Sequence, residues 1–152
     1  MKSIKTIVAG IATGILLISA ISVSVAAYGN DNSYGYNFDT KAYQQHSYSG
    51  TSYYRGTADV TTPWKVNFTY SSEGEGTIMQ YFLAGTGSKP DKVSDYKEVK
   101  QGAGEKYFRA YDSSLQRDTQ LGARNNNYTV YKYSIAGYWD EETAYHQFSD
   151  GQ

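Results

Sequence analysis

The chain has 152 residues, a formal net charge of −1, 39% hydrophobic residues and no cysteine. Those figures exclude a disulfide scaffold, a thiolate metal site and a lipoprotein anchor, and the lack of a basic excess argues against a nucleic-acid partner. The 17 tyrosines, beside five phenylalanines and two tryptophans, exceed what one small core needs, so several rings belong at the surface with their phenols hydrogen-bonding outward.

At the start, Lys2 and Lys5 precede an uncharged run that includes Ile15, Leu16, Leu17 and Ile18, the composition of an export signal with a helical apolar core. Small residues at Val25, Ala26 and Ala27 predict a cut after Ala27, a secreted mature chain from Tyr28, and no membrane contact after cleavage. Gly10, Gly14, Ser19, Ser22 and Ser24 make the run less apolar than a bilayer-spanning anchor. Removing two lysines with the signal takes the mature charge to −3. What remains is the size of one domain with its own core.

Residues 28–40 predict a flexible N-terminal arm, because Asn30, Asp31, Asn32 and Gly35 favour turns. Its alternating rings at Tyr34, Tyr36 and Phe38 suit an edge strand once docked. A single sandwich domain is expected over residues 41–152. Weak alternation from Lys41 to Asp59 predicts one or two amphipathic strands. Trp64 to Ser71 alternates cleanly, with Trp64, Val66, Phe68 and Tyr70 on one face. Thr77 to Leu83 is apolar on both faces, which suits an interior strand. Glu73, Gly74, Glu75 and Gly76 between them predict a hairpin.

The loop from Ala84 to Asp95, with Gly85, Gly87 and Pro90, is expected to cross between two sheets. Strands resume at Val93 to Gln101 and Glu105 to Tyr111, joined as a second hairpin through Gly102, Ala103 and Gly104. A short strand from Thr119 to Arg124 is followed by a tight connection at Asn125, Asn126 and Asn127, since asparagine tolerates the left-handed region. The last strand runs from Tyr128 to Trp139, and Asp140, Glu141 and Glu142 open a polar tail with Asp140 as a helix cap. Seven or eight short strands broken by glycine turns predict an all-β fold, an antiparallel β-sandwich.

Chemistry-bearing groups are few. The two histidines, His46 and His146, lie in no catalytic pattern and are expected to be exposed. Glu73 and Glu75 belong at a turn tip, where carboxylates are solvated, although a carboxylate pair is what a glycosidase needs. Consecutive Asp140, Glu141 and Glu142 make poor joint metal ligands, so no cofactor and no metal is expected. The tyrosine surplus points to binding, because exposed rings give large contact area at small entropic cost. Trp139, Tyr138, Tyr107 and Tyr111 are the candidate binding residues, whereas Trp64 belongs in the core.

Several blocks in order carry a resemblance: Pro63-Trp64-Lys65-Val66-Asn67-Phe68 with Ser71-Ser72-Glu73-Gly74, Val99-Lys100-Gln101-Gly102, Leu121-Gly122 with Asn125-Asn126-Asn127-Tyr128, and Gly137-Tyr138-Trp139-Asp140-Glu141-Glu142-Thr143. On them the chain resembles a family of small uncharacterised exported proteins of Gram-positive bacteria, classed as a domain of unknown function. The resemblance implies a secreted β domain of unknown activity. A looser similarity, with no residue aligned, links it to the lactococcin 972-like bacteriocins. The expected function is a non-catalytic binding or interaction domain at the bacterial envelope or outside it, with a cell-wall glycan or envelope protein as partner. The alternatives are a bacteriocin-like antimicrobial protein and a glycan-binding or glycan-acting one.

Overall fold

In the computed structural model, which describes residues 31–150, eight strands form two four-stranded antiparallel sheets. The predicted export segment lies outside the described residues. The strands are β1 (Tyr34–Asp39), β2 (Ser47–Arg55), β3 (Trp64–Ser71), β4 (Ile78–Ala84), β5 (Lys97–Lys100), β6 (Glu105–Phe108), β7 (Arg117–Asn125) and β8 (Ser134–Asp140). One sheet has the order β1-β8-β3-β6 and the other β2-β7-β4-β5. The only helical element among the described residues is a 3-10 turn at Asp112–Ser114.

The inner faces follow from alternation. Trp64, Val66 and Phe68 of β3 are fully buried and meet Met79, Tyr81 and Leu83 of β4 across the sandwich, as an interlayer about 10 Å thick requires. Tyr36 and Tyr81 place two phenols inside this core, and the Tyr36 hydroxyl donates to Tyr81 Oη at 2.8 Å. That pairing satisfies groups whose burial would otherwise be costly. Tyr70, expected on the same face as Trp64, is instead exposed, because a register shift between Phe68 and Tyr70 against β8 rotates the end of β3.

Strand pairing departs from expectation in an instructive way. The two glycine-containing turns are not hairpins: β3 and β4 lie in different sheets, and so do β5 and β6. Each turn climbs from one layer to the other, a step that four to six residues at about 3.3 Å each can span. The long loop expected to cross sheets does the opposite. It joins β4 to β5, the one pair of consecutive strands that are hydrogen-bonded neighbours. Its ends are tied by Val93 N donating to Leu83 O at 2.9 Å and Gly85 N to Asp91 O at 2.9 Å, with Val93 buried.

β4 takes the interior position that its two apolar faces predicted. β1 occupies the edge of its sheet, in register with β8 from Tyr34 opposite Trp139 to Asp39 opposite Ser134. β8 begins at Ser134 rather than Tyr128, and no helical turn follows it, since residues after Asp140 run as irregular chain. Four connections, residues 40–46, 72–77, 101–104 and 126–133, therefore meet at one end of the sandwich. Hydrogen bonds from Ser72 N to Ser134 O and from Gly102 N to Phe68 O tie that end together.

Candidate functional site

The four residues nominated from sequence do not converge. Trp139 is a correction: it is fully buried, facing inward on β8, with the stacked pair Tyr34 and Tyr53 against it at 6.4 and 5.7 Å between centroids. The N-terminal strand supplies one of those rings and so closes the core over the indole. Tyr138 points outward from the same strand and is 49% exposed. It borders a shallow groove of about 360 Å³ with Gly35, Asn37, Thr69 and Ala136. Tyr107 is half-buried: its ring stacks on His146 at 4.1 Å and its hydroxyl donates to Glu105 Oε2 at 2.6 Å. Tyr111 is exposed and lies beside the other sheet, where its hydroxyl donates to Asp95.

Both histidines are also held rather than free. His146 Nε2 lies 3.1 Å from both Asp31 carboxylate oxygens. His46 is half-buried among rings, its Nε2 2.7 Å from Tyr96 Oη. Burial, with Arg124, Lys92 and Lys41 nearby, lowers the His46 pKa below the usual histidine value.

Asp140 and Glu141, expected in a solvated tail, are buried at the end of β8. The Arg55 guanidinium, fully buried, donates to the carbonyls of Glu141 and Thr62, and Asn32 N and Glu142 N donate to the Asp140 carboxylate. Burial, and for Glu141 also the Asp140 charge, pushes this carboxyl pair up from ordinary carboxylate values. These contacts tie Asn32, Arg55 and Thr62 to the end of β8. Among the described residues no group of three histidine, aspartate or glutamate side chains is arranged to hold a metal.

The most site-like geometry lies at the end where the four connections meet. Loop 126–133 carries Tyr128, Val130 and Tyr131 at 76%, 57% and 65% exposure, and Tyr43 of loop 40–46 packs against Tyr128 with centroids 5.2 Å apart. These rings stand on a fixed backbone. Tyr43 N donates to Thr129 O at 2.7 Å, the Gln44 side-chain amide to Asn126 O at 2.7 Å, and Tyr133 N to Thr40 Oγ1 at 2.9 Å. Tyr43 and Gln44 adopt φ of 56° and 55°, two successive non-glycine residues in the left-handed region. Such strain persists only where the surroundings enforce it and collects at functional sites.

At the same end of the sandwich an open cup of about 340 Å³ is lined by Glu73, Glu75, Thr77, Asn126 and Asn127, the last of these next in sequence to Tyr128. Planar carboxylates and amides beside exposed rings can hydrogen-bond a hydroxyl-rich ligand while its apolar face rests on a phenol ring. Reading residues 128–133 as strand hid this loop. The available signal was the asparagine run, which extends a turn.

Comparison with curated proteins and with solved structures finds no match. A family profile described as a protein of unknown function, DUF2712, matches residues 22–143 and so covers β1 to β8. By that match over most of its length, the chain belongs to the DUF2712 family.

Proposed function

We propose that this protein is an exported, non-catalytic binding domain that acts at the bacterial cell envelope or outside it and takes a hydroxyl-rich glycan at the loop end of its sandwich. The carrying observation is that the packed, exposed Tyr43 and Tyr128 rings and the carboxylate and amide cup lie at one end of the sandwich, on loops joined through Gln44 and Asn126. Export is supported by the composition of residues 1–27. Binding rather than turnover is supported by the solvent exposure of Glu73 and Glu75 in an open cup, since glycosidic acid catalysis calls for a carboxyl raised by an enclosed site.

The test is sedimentation with insoluble wall polysaccharide and titration with its soluble fragments. Wild type binds, and Tyr128→Ala weakens binding about tenfold to a hundredfold, the effect of truncating an aromatic anchor worth roughly 1–3 kcal/mol. Asn127→Ala weakens it less, and neither substitution moves the melting temperature. Absence of binding across neutral and acidic wall glycans overturns the proposal. Release of shorter saccharides that stops in Glu73→Gln or Glu75→Gln replaces it with an enzymatic reading.

A further inference from the structure

The outer face of the second sheet has its own aromatic nucleus. Phe82 points away from the core on β4, yet it is fully buried. Its ring lies over Gly122 of β7, where a side chain would overlap it. His46 at 4.7 Å, Tyr96 at 5.2 Å and Tyr48 at 6.1 Å between centroids surround it. The rings form a floor on the outside of the sheet, continuous with nothing in the main core.

Cations gather on that floor. The Arg124 guanidinium stacks 3.6 Å from the Tyr96 centroid, and Lys92 Nζ stands 4.2 Å from the same centroid and 5.7 Å from that of Tyr111. Arg124 Nε donates to Gln80 Oε1 at 2.7 Å, and the Gln80 amide donates to Glu98 Oε1 at 3.1 Å. This chain fixes the plane of the guanidinium and leaves its two terminal nitrogens without a protein acceptor among the described residues. Lys92 likewise forms no ion pair among the described residues. The nearest acids, Asp95 and Glu98, accept from the neutral Tyr111 hydroxyl and Gln80 amide, so they keep their charge, but neither is ion-paired with Lys92 or Arg124.

Two cations held over one ring without a direct ion pair raise the local concentration of anions. A planar guanidinium held by its Nε presents a two-toothed donor edge that matches phosphate, and an ammonium beside it adds a point charge. Burial first, and then the neighbouring Arg124, Lys92 and Lys41 charges, lower the pKa of His46 at the edge of this floor.

We infer that this face is an anion-binding site, in which Arg124 and Lys92 take a phosphate group against the ring of Tyr96. The site is separate from the loop-end cup, so either can fail without the other. A phosphodiester polymer and a phospholipid headgroup offer the same group.

The experiment is nuclear magnetic resonance titration of the purified protein, following the His46 imidazole and the backbone amides of residues 92–96 and 122–124. The probes are inorganic phosphate, soluble poly(glycerol phosphate), and vesicles of phosphatidylglycerol against phosphatidylcholine. The inference expects saturable shifts at those residues with poly(glycerol phosphate) or with the anionic vesicles, which identifies the source. It also expects a tenfold or greater loss of affinity in Lys92→Gln and a larger one in Lys92→Gln with Arg124→Gln. Lys92→Gln leaves the Arg124 stack intact, so its loss reports binding rather than misfolding. Shifts that do not saturate with any probe, or affinity unchanged in both variants, overturn the inference.

Discussion

Replacing Trp139 with alanine separates a core role from a contact role, because the two make opposite predictions about stability. The indole is fully buried between Tyr34 and Tyr53, and its Nε1 has no hydrogen-bond partner among the described residues. Its loss is therefore one of packing and transfer, about 3–5 kcal/mol for a tryptophan reduced to alanine. For a domain of this size each kcal/mol moves the melting temperature by roughly 3–6 °C, so the transition should fall by roughly 9–30 °C. That is a large part of the total stability of about 5–15 kcal/mol typical of such domains. Trp139→Phe keeps a ring against the tyrosine pair, loses only part of the buried volume and should cost less than the alanine change, which guards against complete unfolding of the alanine variant. Urea and thermal unfolding followed by near-ultraviolet circular dichroism give both values. A Trp139→Ala protein that melts within 3 °C of wild type would refute the buried placement and restore the indole as a surface contact.

Gly137→Ala should destabilise by roughly 1–3 kcal/mol or more in urea unfolding, because the added methyl overlaps the Asn67 carbonyl of β3 and the Tyr36 hydroxyl. Arg55→Ala should cost about 2–6 kcal/mol, roughly 1–3 for each of the Glu141 and Thr62 carbonyls left without its buried donor. Stability should also depend on pH through Asp140 and Glu141. Burial raises both carboxyls in the folded state, so the native chain holds protons that the unfolded chain releases. The resulting stability is fully present below the ordinary carboxylate range and is lost as pH rises through the raised values across neutrality. The melting temperature should therefore fall between pH 5 and pH 9, and Asp140→Asn with Glu141→Gln should flatten that slope; a rise with pH in wild type contradicts it.

Much of the fold was legible because burial on one face imposes a period of two. Trp64, Val66 and Phe68 declared their inward face, and Met79, Tyr81 and Leu83 declared an interior strand. Which strands pair was not legible. A turn such as Glu73 to Gly76 supplies the glycine conformations of a hairpin, with Gly74 and Gly76 at φ of 122° and 78°, yet the same conformations let the chain climb to the opposite sheet. The distinction rests on long-range ladders, β3 with β6 and β8, which no local pattern records.

The candidate site was less legible still. Trp139 looked peripheral because it adjoins Asp140, but Asp140 is itself buried and Tyr34 and Tyr53, distant in sequence, close over the indole. His46 sits in a polar stretch, and only the packing of β4 and β7 brings Phe82, Tyr96 and Arg124 around it. The rings of Tyr43 and Tyr128 meet through the joining of two loops 85 positions apart, held by backbone hydrogen bonds that composition does not encode.

The central claim, that the loop end of the sandwich holds a glycan without cleaving it, is tested most directly by nuclear magnetic resonance titration with soluble wall-derived oligosaccharides. The account predicts saturable shifts confined to residues 43–44, 73–77 and 126–131, abolished or strongly weakened in Tyr128→Ala, with the oligosaccharide recovered intact. Shifts centred on the Tyr138 groove, or none at these loops with any oligosaccharide, would contradict it.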